Sequence, residues 1–80
     1  MRKSTVLDKF IDAAFLAGVV AYNVNHRALT MSLRCSLVQA QEIVQAMGYK
    51  YNSESYFRKE KEVVSVTEIA EGVLLQYNYS

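Results

Sequence analysis

Nine consecutive residues, Ala13 to Ala21 ("AAFLAGVVA"), carry no charge and no polar side chain. They extend a helical spacing set by Leu7, Phe10, Ile11, Ala14, Phe15 and Gly18. Thr5 reads as the N-cap of this helix, and Asp8 favours its first turn. A helix that is apolar nearly all round must be buried or covered by a partner. The run is about half the length of a membrane span. The chain must therefore hide it in its own core or share it with a second copy. With 80 residues, folding buries only roughly 60–65% of the surface. A central core helix is the plainer reading and a homodimer seam the alternative. Ala17 and Gly18 form a small-residue step where another helix could approach closely.

The rest of the composition describes one globular domain over residues 1–80. Hydrophobic residues make up 51% and charged residues 21%, a balance that excludes a disordered chain. There is no proline and there are three glycines, so elements should be long and loops few. "NVNH", residues 23–26, reads as a turn. A short helix is expected over about 27–33, with Leu29 and Leu33 four apart, and "RCS" is then a tight turn. Ser36 is placed to cap a further helix. Leu37, Ala40, Val44 and Met47 fall on one face of it, and Gly48 ends it.

Beyond it, 49–52 and 56–64 read as a β-hairpin around the turn-like "NSES". Ser65 and Glu68 have capping-box spacing, and Val66, Ile69, Ala70, Val73, Leu74 and Tyr77 then make a helical stripe. The competing reading makes Val63–Ile69 and Val73–Tyr79 two strands around "AEG". Gly72 favours it and Glu68 opposes it. The expected class is α+β, a small winged-helix-like domain of three to four helices with one β-hairpin.

"LRCSLVQAQEIVQAM", residues 33–47, resembles the helix-turn-helix core of the C-terminal gamma domain of FtsK/SpoIIIE-type DNA translocases. Leu33 and Arg34 match its opening, Ala40 a small helix position, Ile43-Val44 its aliphatic pair and Met47 its closing methionine. The resemblance implies a winged helix that binds double-stranded DNA, with a helix-turn-helix over about 27–47 and a hairpin wing over about 49–64. The family's exposed arginines are replaced by Gln39 and Glu42; Arg34 alone carries over as a basic position. On this reading Arg34, Ser36, Gln39 and Gln45 face the groove, where glutamine can pair with adenine. Arg27, Lys50, Arg58 and Lys59 hold phosphates.

Charge permits this without demanding it. The formal net charge is +1. Residues 27–61 carry a net +3 and residues 62–80, with Glu62, Glu68 and Glu71, a net −3. The discriminating feature is where that acidic tail folds. If it covers the basic middle, phosphate binding fails; if the two lie on opposite faces, it gains. The rival reading is a non-enzymatic protein-interaction module, a small adaptor or inhibitor, possibly homodimeric. It accounts equally well for the near-neutral charge, the six tyrosines and the apolar first helix.

Catalysis and metal chemistry find little footing. Cys35 stands beside Arg34 and before a helix N-terminus, features that lower a thiol pKa. But the lone His26 is the only candidate base, and no third partner accompanies it. No phosphate loop is present and no metal-ligand spacing appears. The expectation is a non-enzyme without cofactor or metal. Asp8 and Asp12 interrupt any leader-like segment after Met1-Arg2-Lys3, so a soluble cytoplasmic protein with no membrane association is expected.

Overall fold

The computed structural model describes residues 5–53 and 55–79. Glu54 of the expected "NSES" turn, the start of the basic N-terminus and the capping side chain of Thr5 lie outside the description. Two helices and six strands follow in the order α1 (Thr5–Leu16), β1 (Ala21–Asn25), β2 (Thr30–Leu33), α2 (Leu37–Ala46), β3 (Lys50–Ser53), β4 (Tyr56–Lys59), β5 (Glu62–Ile69) and β6 (Gly72–Tyr79). The strands form one antiparallel sheet in the order β1-β2-β6-β5-β4-β3. The winged-helix expectation is therefore overturned. The chain is a six-stranded sheet with two helices on one face.

Strand alternation builds the core. Val64 and Val66 of β5, Val73, Leu75 and Tyr77 of β6, Met31 and Leu33 of β2 and Phe57 of β4 are buried on the helix side. Leu7, Phe10 and Ala14 of α1 and Ala40, Ile43 and Val44 of α2 close that side.

Three sequence expectations fail for identifiable reasons. First, α1 stops at Leu16 rather than running through the apolar stretch. Gly18 takes φ +75°, its N–H donates to the Phe15 carbonyl, and the Val19 N–H donates to Ala14 at 2.8 Å. This is a Schellman ending, and it turns the chain into β1.

Second, residues 27–33 are not a helix. Asn25 Oδ1 accepts from the backbone N–H groups of Arg27 (3.0 Å) and Ala28 (2.9 Å), making the turn of a β1–β2 hairpin. The turn thus falls after Asn25, and Ala21–Asn25 is a strand rather than the expected loop. The residues after it then pair with a strand forty or more positions away, from Thr30↔Gln76 to Leu33↔Val73. Without this helix there is no helix-turn-helix over 27–47.

Third, 65–77 is not a helix. β5 and β6 pair over their whole length from Glu62↔Tyr79 to Ile69↔Gly72. Eight cross-strand partners outweigh one capping box. The expected single strand over 56–64 also divides, because Glu60 at φ +57° turns β4 into β5.

The sheet's two edges are short and irregular. The β1–β2 register shifts between Tyr22 and Asn25, and the β3–β4 register between Tyr51 and Ser53. Bulges of this kind blunt an edge against strand addition.

Candidate functional site

Three places on this frame could do chemistry or make contacts. The first is the end of α1. Because the Schellman turn cuts the helix short, only part of the apolar stretch reaches the core. Phe15 is 78% exposed, Leu16 85% and Val20 59%. Leu16 borders a groove of about 440 Å³ between α1 and α2, lined chiefly by Ala13, Ala17, Ile43, Ala46 and Met47. Phe15 borders a second hollow of about 470 Å³ with Ile11, Val19 and Val20. Adjacent large apolar side chains exposed to this degree are unusual on a monomer.

The second place is a polar cluster between α1 and the sheet. The Tyr49 hydroxyl donates to Glu62 Oε1 at 2.6 Å. Lys59 Nζ donates to the Met47 carbonyl at 3.4 Å and lies 4.9 Å from the centre of the Tyr49 ring. Phe10 packs on the same ring with centroids 5.6 Å apart. Burial, then the Glu62 carboxylate, pushes the Tyr49 phenol well above its ordinary value near 10, and burial with Glu62 raises Tyr77. Both rings are thus held as protonated donors, a fastening rather than a reactive group.

Folding favours the protonated phenol, so this contribution is complete below pH 10. It drains as pH climbs above 10 towards the raised folded value. Urea midpoints taken at pH 8, 10 and 11.5 should fall over the upper interval. Tyr49→Phe should make that fall shallower, and an unchanged slope would rule out Tyr49 as its source.

The third place is the sheet face turned away from the helices. Cross-strand partners share a face, which gives three rows. Tyr22, Ser32, Leu74 and Thr67 form one. Thr30, Gln76, Ser65 and Tyr56 form the next, and Asn78, Val63, Arg58 and Lys50 the third. Arg34 follows β2 and lays its guanidinium 4.6 Å from the Tyr22 ring centre. Tyr22 in turn donates its hydroxyl to the Glu71 carbonyl at 2.8 Å. Both strand carboxylates point the other way: Glu62 to Tyr49, and Glu68 beside fully buried Val73 on the helix side.

The predicted site residues are split by this sheet. Ser36 is a cap, its Oγ accepting from the Gln39 N–H at 3.1 Å. Gln39 lines the α1–α2 groove and Gln45 is exposed on α2, both on the helix side. Lys59 is turned to the helix side as well, engaged by Met47 and Tyr49. Lys50 and Arg58 lie on the opposite face together with Arg34, while Arg27 is exposed in the β1–β2 turn. The glutamines and the phosphate-binding cations expected to act together are thus not brought together. Tyr22 was missed, although strand alternation around it would have put it on a cation-bearing face.

Cys35 departs from the reactive-thiol picture: burial pushes its thiol up, and the neighbouring guanidinium is turned to Tyr22. Among the described residues no group of three or more His, Cys, Asp or Glu could hold a metal ion. Nor is any helix there long and apolar enough to cross a membrane. No protein-family model, curated protein or solved structure matches this chain.

Proposed function

We propose that this chain is a non-enzymatic protein-interaction module that works as a homodimer through the end of α1. The observation that carries the reading is the pair Phe15 and Leu16, 78% and 85% exposed beside an apolar groove. The duplex-DNA expectation relied on a helix-turn-helix, which the chain does not adopt, and on a hairpin wing, which is built into the sheet as β3 and β4.

A second copy is the occupant this surface suits. It carries a projection, Leu16, and a hollow, the α1–α2 groove, side by side. A two-fold axis puts each Leu16 into the other copy's groove, as an isologous contact requires. From Ala13 to Ala21 the surface bears no charge, so this stretch brings no like-charge penalty when paired with itself, and Glu42 is the one charged residue among those described that lines the groove.

Phe15, Leu16 and Val20 from two copies are six side chains at about 2 kcal/mol each, roughly 12 kcal/mol gross. Association costs roughly 4–15 kcal/mol. The balance describes a weak, concentration-dependent dimer rather than an obligate one.

Sedimentation equilibrium from about 5 μM to 1 mM tests it. The wild-type chain should pass from monomer to dimer across that range. Leu16→Glu should stay monomeric with an unchanged circular dichroism spectrum, since Leu16 supports no core contact. A wild-type chain that remains monomeric at 1 mM would remove the proposal and leave this patch to a different protein.

A further inference from the structure

The helix-free face of the sheet combines four observations that no role in the fold explains. Lys50 and Arg58 are direct cross-strand partners. Like charges placed opposite one another weaken a sheet. Neither is neutralised from the neighbouring strand, because Glu62 points to the other face and holds Tyr49. Arg58 makes one backbone contact, its Nη1 donating to the Glu60 carbonyl at 3.0 Å, and has no carboxylate partner among the described residues.

The second observation is that no strand carboxylate among the described residues lies on this face; Glu60 and Glu71 sit in turns at its margins. Third, a further cation stands at the far corner: Arg34, stacked on Tyr22. Fourth, Tyr56 is 48% exposed in the row between these corners, with Ser65, Gln76 and Thr30 across the strands. Arg34, Lys50 and Arg58 of the basic middle thus lie on the face opposite Glu62 and Glu68, whereas Lys59 stands beside Glu62 on the helix side and Arg27, Lys61 and Glu71 sit in turns.

We infer that this face binds single-stranded nucleic acid, with Arg34, Lys50 and Arg58 on phosphates and Tyr56 stacking on a base. The partner is a polyanion because the face offers cations without strand carboxylates among the described residues. It is a single strand because of size. Six strands at about 4.8 Å make a face roughly 24 Å wide, whereas a duplex major groove is about 12 Å wide and admits a two-stranded ribbon. A single strand can instead lie diagonally across the face. From Tyr22 on β1 to Arg58 on β4 is four strand spacings, roughly 19 Å. That is about six nucleotides at the stacked spacing of about 3.4 Å. Tyrosine offers a π-face that any base can use, and the serine, threonine and glutamine side chains between the corners can bond to bases or sugars.

The face and the end of α1 do not share residues, so the two proposals stand or fall separately. Fluorescence anisotropy of labelled dT12 and rU12, titrated with the full chain at 20 and 200 mM salt, tests the inference. A 12-base-pair duplex serves as the comparison. Three phosphate contacts predict roughly a hundredfold weakening across that salt range, from a slope of about −0.7 per contact on single strands.

Lys50→Glu with Arg58→Glu should weaken binding at least tenfold at 20 mM salt, and Tyr56→Ala at least fivefold. Lys50→Gln with Arg58→Gln, read beside circular dichroism, guards against a folding artefact and should also weaken binding. Leu16→Glu should bind like the wild type, which separates failure of the dimer from failure of this face. Preference for rU12 over dT12 would identify RNA as the source of the strand, and the reverse DNA. Absence of binding at 20 mM salt, equal affinity for the duplex, or an unaffected glutamate double variant would overturn the inference.

Discussion

Gly72→Ala is expected to destabilise the fold by about 3 kcal/mol or more, read as a drop in the urea midpoint. Gly72 opens β6 at φ +139°, where L side chains are strained. A Cβ there would lie 2.1 Å from the Leu33 carbonyl oxygen, 3.1 Å from the Leu33 carbonyl carbon and 3.2 Å from Arg34 Cα. All three are backbone atoms, so no side-chain rotation relieves the clash; β2 and β6 must part at the pairing that begins Leu33↔Val73. Gly18 gives the control. It also has positive φ, +75°, but a Cβ there meets nothing within 4 Å. Gly18→Ala should therefore cost only the left-handed strain, roughly 1–2 kcal/mol. The sign at Gly72 is itself informative. Were residues 65–77 a helix, alanine in place of glycine would stabilise it by about 1 kcal/mol.

Local signals made the helices legible and non-local ones hid most of the sheet. Ser36 caps α2 as its position suggests, and Gly48 at φ +99° follows its end. The β3–β4 hairpin stands near its expected place because its turn is written locally. The β1–β2 hairpin was obscured by Leu29 and Leu33, whose spacing of four fits a helix turn. Leu29, Met31 and Leu33 also alternate with Thr30 and Ser32, a period-two signal that the fold uses: Met31 and Leu33 are fully buried. Choosing between the two periods needs β6 as a partner, and β6 is far along the chain. The same applies to Ser65 and Glu68, where capping-box spacing coincides with a strand whose alternation buries Val64 and Val66.

The candidate surfaces were legible to a different degree. The uncharged stretch from Ala13 to Ala21 announced a face in need of cover, and the exposure of Phe15 and Leu16 follows from it once Gly18 ends the helix. Lys50 and Arg58 were picked out as phosphate-binding cations, and Arg34 as a residue facing a DNA groove. What sequence spacing could not supply was their common face, because that depends on strand register. A register shift of one residue would have turned Arg58 inward and Lys59 outward.

That register gives neighbouring aromatic residues opposite duties, and replacing each with alanine should separate them. Phe57 is 1% exposed, stands opposite Val64 and packs edge-on against Tyr51 with centroids 5.8 Å apart. Phe57→Ala should cost about 3–5 kcal/mol, the transfer of a large ring plus the cavity it leaves. Against roughly 4–12 kcal/mol available to a domain of 80 residues, that loss leaves a sizeable unfolded fraction near body temperature. Tyr56, one position earlier and 48% exposed, supports no comparable packing. Tyr56→Ala should keep the wild-type urea midpoint to within about 1 kcal/mol while weakening single-strand binding. Thermal and urea unfolding of the two variants side by side decide the matter. If Tyr56→Ala unfolded as readily as Phe57→Ala, the assignment of faces in β4 would fail, and the nucleic-acid platform with it. If only Phe57→Ala does, the sheet has one side committed to the core and one left free to bind.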